Sequence, residues 1–435
     1  MDAITYSKVN KLEKYLRNKA SDDTGDIIYG FKIVQGRSEP KGRVEYLSGS
    51  MNENYEPAYM DYTNGIFNYG SWKDAWFMPR PCMLKSDGTI AYYLDPDNYA
   101  YKEDGTTSDI ADLTFDGNAM MQWPKIWVSR IAVGGSYICR IANYKPEDDN
   151  SFHCYSNTDA NGDEIPHFYT PIYNGHLNNS KLRSISGKAV MNAQTGSNEI
   201  TYALANNPTA GSYESCGWYI EQNSDRNLIN DLLVLIGRST NVQSTFGNGH
   251  YSGGQNASSL IATGTMNTKG LFWGTNGTGN GVKVFGMEHY WGNQWRRTAG
   301  LLYVSGYVYA KATWSQVDGT SVTGYQQTAV TGYKQIGTLA QSLSGSYIID
   351  MTVDDFGLFP TTGGGTDSTY YCDGVWSGTT AVTYALAGGG SGNGLACGAW
   401  AVALSNAVSI SDWAIGAALS CKPLKSIQES DERAA

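Results

Sequence analysis

Glycine interleaved with aromatic side chains constrains this chain more than any other feature. "GLFWG" (Gly270–Gly274), "KVFGMEHYWGNQW" (Lys283–Trp295) and "YYCDGVW" (Tyr370–Trp376) each set rings within a few residues of a glycine. A residue without a side chain lets a ring lie flat against the backbone, which suits short, closely packed strands and not a helix bundle. The 51 glycines and 31 tyrosines stand beside only 17% charged residues, too little charge for long solvent-facing helices. The expected fold class is α+β and β-rich, with few helices.

Two segments carry helical spacing. "SKVNKLEKYLRNK" (Ser7–Lys19) sets Val9, Leu12 and Leu16 on one face, with Ser7 as cap. Two turns are marginal alone, so this helix either packs on its own domain or pairs with copies of itself. "SDRNLINDLLVLIGRST" (Ser224–Thr240) is the strongest helix, with Leu228, Leu232 and Leu235 on one face. Ser224 or Asp225 is expected to cap it and Gly237 to end it. Between them, "MLKSDGTIAYYLD" reads as a hairpin turning at Asp87-Gly88. The organisation expected is a helix and linker over 1–30, for oligomerisation or attachment, and a small β-rich domain over 31–125. A larger domain follows over 126–424, then a charged tail over 425–435.

The net charge of −10 excludes phosphate-neutralising surfaces, so no nucleic-acid partner is expected. The residues after Met1 lack a hydrophobic signal core. The most apolar stretch, Ala399–Leu419, is broken by Asn406, Ser411 and Asp412 and reads as buried strands. Neither export nor membrane insertion is expected. Seven cysteines, at 82, 139, 154, 216, 372, 397 and 421, form no Cys-x-x-Cys pair and read as free buried thiols. Neither His153-Cys154 nor His167 with His176 has a metal-ligand spacing, so no metal and no cofactor are expected.

Chemistry has one obvious candidate. Glu288 and His289 are neighbours in "VFGMEHYWGNQWRRTAG" (Val284–Gly300) and resemble an acid/base pair. Adjacent residues of a strand point to opposite faces, which works against cooperation. No nucleophile elbow is placed, and "GGGSGNG" (Gly388–Gly394) lacks the Lys-Ser/Thr ending of a phosphate loop. Glu288 and His289 are therefore expected to be scaffold residues that tie loops by hydrogen bonds.

The order "FGMEHYWGNQWRR", "YYCDGVW", a "GGG…NG…GAW" segment and a closing "WAIGAALSCKPL" resembles the C-type-lectin-like fold of tailed-phage variable proteins. Those are the targets of diversity-generating retroelements, and their fold is related to that of formylglycine-generating enzymes. Upstream, "PAYMDYTNGIFNYGSWKDAWF", "PCMLKSDGTIAYYLDPDNY", "DGNAMMQWPKIWVS", "HFYTPIYNGHL", "LRSISG" and "TGTMNTKGLFWG" resemble tail-associated proteins of gut bacteriophages. The likeness runs from about residue 55 to 424. It implies a C-type-lectin-like domain over 126–424 with a variable segment near 370–420. The related enzymes' reactive cysteine pair has no counterpart here, and "GNQWRR" replaces the usual Trp-Glu-Trp ending, so catalysis is not carried over.

The resemblance implies a non-enzymatic receptor-binding protein, an adhesin of the virion tail, made in the host bacterial cytoplasm. Its partners would be a bacterial cell-surface glycan or protein and other tail proteins, and its state a homotrimer. The ligand-binding side chains would be Trp376, Ser377, Thr379, Tyr384, Ser391, Asn393 and Leu395, followed by Trp400, Val402, Val408, Ser409, Ser411 and Asp412. A core position is the competing reading for Trp400, Val402 and Val408; Trp413, Ile415 and Leu419 read as framework. An enzyme of the same fold acting on glycans or cysteine is one alternative. A structural tail or baseplate component is the other.

Overall fold

The computed structural model describes residues 25–277, 281–311, 333–339, 342–378 and 382–434. The helix expected over Ser7–Lys19, with Val9, Leu12 and Leu16, lies outside them. The fold is β-rich α+β, with four helices among the described residues.

Three sheets dominate. A five-stranded antiparallel sheet runs Phe152–His153, Trp127–Val133, Ser136–Ala142, Ile28–Val34, Val44–Tyr46. A six-stranded sheet runs Trp218–Ile220, Leu419–Cys421, Phe168–Pro171, Asn118–Trp123, Arg80–Leu84, Ile90–Tyr93. In its last hairpin Lys85 N–H donates to Thr89 O (2.9 Å) around Gly88 at φ +84°, the turn that Asp87-Gly88 predicted. Both sheets draw strands from either side of residue 125, so the division expected there runs through each of them. Short strands cannot bury a face alone, and here their partners come from distant sequence.

The third sheet has nine strands. Its path is Lys334–Thr338, Tyr307–Ala310, Trp295–Val304, Val382–Ala387, Val402–Leu404, Gly374–Ser377, Leu343–Asp354, Gly357–Gly365, and Ile415–Gly416 pairs in parallel with Trp295–Arg296. It curls until its first strand meets its seventh. There Thr352 Oγ1 donates to Ile336 O (3.4 Å) and Lys334 pairs with Asp354 (2.7 Å), so the sheet nearly closes as a barrel.

The helix Asn223–Gly237 packs against this sheet, and all fifteen of its residues are buried. Leu228, Leu232 and Leu235 join the main core, as their spacing predicts. Its start differs from expectation. Gln222 holds the cap position without a side-chain bond, because Asp225 instead takes Lys422 (2.9 Å). Its end is Gly237, followed by Arg238 in the left-handed region (φ 47°) with N–H to Val234 O (2.8 Å). All seven cysteines are buried and free. Among the described residues no helix is long and apolar enough to cross a membrane.

Candidate functional site

The stretch Val284–Gly300 is internal framework. Lys283 and Glu288 are cross-strand partners in a tight hairpin, and Glu288 is fully buried, at 0% exposure. Its carboxylate accepts N–H bonds from Gly264 and Met266 (2.8 Å each), and Lys283 Nζ donates to Met266 O (2.9 Å). Burial raises the Glu288 carboxyl and lowers the Lys283 ammonium, and each charge offsets part of the other's shift. Glu288 thus ties loops, as expected.

His289 does not tie loops through its ring. It is 2% exposed with φ +51°, and neither ring nitrogen has a hydrogen-bond partner among the described residues. Its backbone does the bonding: N–H to Val282 O (2.7 Å), and O from Arg296 Nη2 (3.0 Å). Burial, with His250 and Arg296 nearby, pulls its pKa down to about 3.

The thirteen residues expected to face a ligand divide sharply. Ser409 and Ser411 are exposed, while Trp376, Asn393, Leu395, Val408 and Asp412 are half-buried. Thr379 lies outside the described residues. Ser377, Tyr384, Ser391, Trp400 and Val402 are buried, which corrects the expectation that they face solvent. The causes are local. Ser377 ends a strand and accepts the N–H of Leu343 (3.2 Å), and Tyr384 lies in a strand flanked on both sides and packs in the second core. Ser391 (0% exposed) is clamped: N–H to Asn293 O (3.0 Å), Oγ to Gly254 O (3.1 Å), and O from Gly253 N–H (3.1 Å). Trp400 and Val402 belong to the main core, the competing reading for both. Of the framework residues, Ile415 and Leu419 are buried and Trp413 is half-buried.

Apart from Trp376, the remaining residues sit on two loops, 388–401 and 405–414, and Val408 packs against the second core. Trp376 meets Trp295 edge to face, with ring centres 5.1 Å apart, and both pack with Ile410 and Ala414 over Leu386, Ala403 and Ile415. Two loops rim this aromatic centre. In one, Gly390 N–H donates to Asn393 Oδ1 (2.8 Å) and Cys397 N–H to Gly394 O (3.2 Å). In the other, Ala414 N–H donates to Asp412 Oδ1 (2.8 Å) and Ser411 Oγ to Ala193 O (2.7 Å). Gly196 N–H reaches Val408 O (2.9 Å) from the start of the helix Gly196–Leu204. Backbones held this way lose little freedom when a partner docks.

Beneath the face lie two charged side chains that sequence reading missed. Arg297, fully buried, pairs with Glu199 and donates Nη2 to Ile410 O (3.2 Å), joining strand, helix and rim loop. Arg296 Nη1 reaches Glu221 (3.3 Å), and its other nitrogens hold Asn174 Oδ1 (2.8 Å) and Glu288 O (2.9 Å). Their signal was the pair of arginines between Trp295 and Ala299, apolar neighbours on a strand. Neither a protein-family model nor a curated protein matches the chain.

Proposed function

We propose that the protein is a receptor-binding adhesin of a bacteriophage tail, and that the face around Trp376, backed by the buried Trp295, meets a bacterial surface glycan or protein. The observation that carries this reading is an aromatic centre rimmed by small polar side chains on pinned loops. Rigid rings give contact area at low entropic cost, and Ser, Gly and Asn adapt to the partner, which is the composition of a recognition surface. The motif order from Phe285 to Leu424, similar to that of variable phage proteins, supplies the class of partner. The display set is Trp376, Asn393, Leu395, Val408, Ser409, Ser411 and Asp412. The protein acts as a homotrimer among other tail proteins, without catalysis.

Leu395→Arg with Ser409→Arg tests the face, because Ser409 is exposed and Leu395 is partly exposed. Stability should change by no more than about 0.5 kcal/mol, while attachment to host cells falls by about tenfold or more. Unchanged attachment by a folded double variant sinks the display reading. Light scattering that returns a monomer for the full chain sinks the trimer.

A further inference from the structure

Behind the display face, a cleft opens between the first two turns of the helix Asn223–Gly237 and the nine-stranded sheet. It opens to solvent, and the space in it that a water-sized body can occupy is about 40 Å3. The sheet and the turn before its strand Val402–Leu404 leave this space by using alanine where a larger side chain would fill it: Ala385, Ala387, Ala399 and Ala401 all line the cleft and are buried. The helix contributes a polar stripe at one-turn spacing, Asn223, Arg226, Asn227 and Asn230. Close-packed interiors rarely keep both a void and a polar wall without a use for them.

The hydrogen bonds along that wall show what is missing. Asn230 Nδ2 is bound to Ala399 O (2.9 Å), and Asn227 Nδ2 to Asn223 O (3.1 Å). Asn223 Nδ2 and the indole N–H of Trp400 have no partner among the described residues, although each residue is only 5% exposed. Both unmet groups are donors. Arg226 adds a guanidinium whose bonds are all long: 3.3 Å to Glu221 and 3.4 Å to both Tyr290 O and Ala399 O.

Charge points the same way. Arg226 and Arg296 share Glu221, each at 3.3 Å. The neighbouring acids are committed elsewhere, Asp225 to Lys422 (2.9 Å) and Asp231 to Arg130 (2.7 Å). Asp373 accepts the N–H of Trp400 (2.7 Å); burial drives its carboxyl well above the usual range, and that bond and Arg226 offset part of the rise. A buried cation lacking its full counter-charge is costly, and the positive end of the helix dipole adds to the field.

We propose that this cleft binds a small ligand that carries a carboxylate on a compact, partly apolar body, such as an acidic sugar or an aromatic acid. The carboxylate accepts from Asn223, Trp400 and Arg226, and the body lies on the alanines, Leu358 and Phe359. The site stands apart from the display face, and the two readings fail separately.

The test is calorimetric titration and thermal shift of the full chain with glucuronate and benzoate, each against its uncharged counterpart, glucose or benzamide. At least one acid should bind and raise Tm while its counterpart does not. Asn223→Asp converts a donor into an acceptor of like charge in the helix's first turn, where an acid suits the dipole. It should weaken the acid by about tenfold or more. Ala387→Leu, which fills the cleft, should abolish the same binding. The proposal is overturned if neither acid binds, if each acid does no better than its counterpart, or if a folded Ala387→Leu protein binds as the parent does.

Discussion

His289 makes the clearest case of a side chain whose chemistry is decided by burial. Its ring is neutral in the fold, with a pKa of about 3 against an ordinary 6.5. The unfolded chain therefore takes up a proton near pH 6.5 that the folded chain refuses until about pH 3. Stability from this residue is present above pH 6.5 and is lost as pH falls between those values, by about 3–5 kcal/mol in all. His289→Asn keeps a residue that tolerates φ +51° and removes the titration. Urea unfolding at pH 7 and pH 4 should show the parent losing about 3 kcal/mol more than the variant; equal losses would refute the account. At this scale the sequence was half legible. It marked Glu288 and His289 as framework through the glycines and tryptophans around them. It did not reveal that Ser377 and Ser391 are interior, because a serine with every bond satisfied buries at little cost and only the fold supplies its partners.

Among the elements, the joint between the helix Gly196–Leu204 and the strand Trp295–Val304 rests on Arg297 and Glu199, both fully buried. Removing one partner strands the other charge in the interior. Glu199→Gln should therefore lower stability by about 3–5 kcal/mol, whereas replacing both residues by methionine should recover most of the loss. Chemical denaturation of the two proteins checks this, and a double variant no more stable than the single one would contradict it. Because Arg297 also holds Ile410 O, the single variant should loosen the rim loop, visible as faster amide exchange near Ile410. Elements with local signals were readable in advance. The Asp87-Gly88 hairpin follows from turn chemistry, and the helix ending at Gly237 follows from its leucine spacing. The start of that helix was misread because Asp225, a good cap by type, answers to Lys422 from far along the chain.

For the whole molecule, the β-rich class was legible from composition, but the division at residue 125 was not. Ile28–Val34 pairs along its full length with Ser136–Ala142, and Asn118–Trp123 sits between Arg80–Leu84 and Phe168–Pro171. Strand alternation says that a strand exists and nothing about its neighbour. Residues 1–125 expressed alone should lack near-ultraviolet dichroism and cooperative melting, and the full chain should unfold in one calorimetric transition. A fragment that melts cooperatively would restore the boundary. The place of Leu419–Cys421 has a further consequence, for biosynthesis. That strand lies inside the six-stranded sheet, between Trp218–Ile220 and Phe168–Pro171, yet it is translated after the whole display segment. A message that stops or shifts frame within that segment yields a chain whose sheet loses its end strand Trp218–Ile220, with two bare strand edges that invite aggregation and proteolysis. A check on the proposed display segment is thus built into the order of synthesis: a chain reaches the native state only when the ribosome has read through that segment in frame.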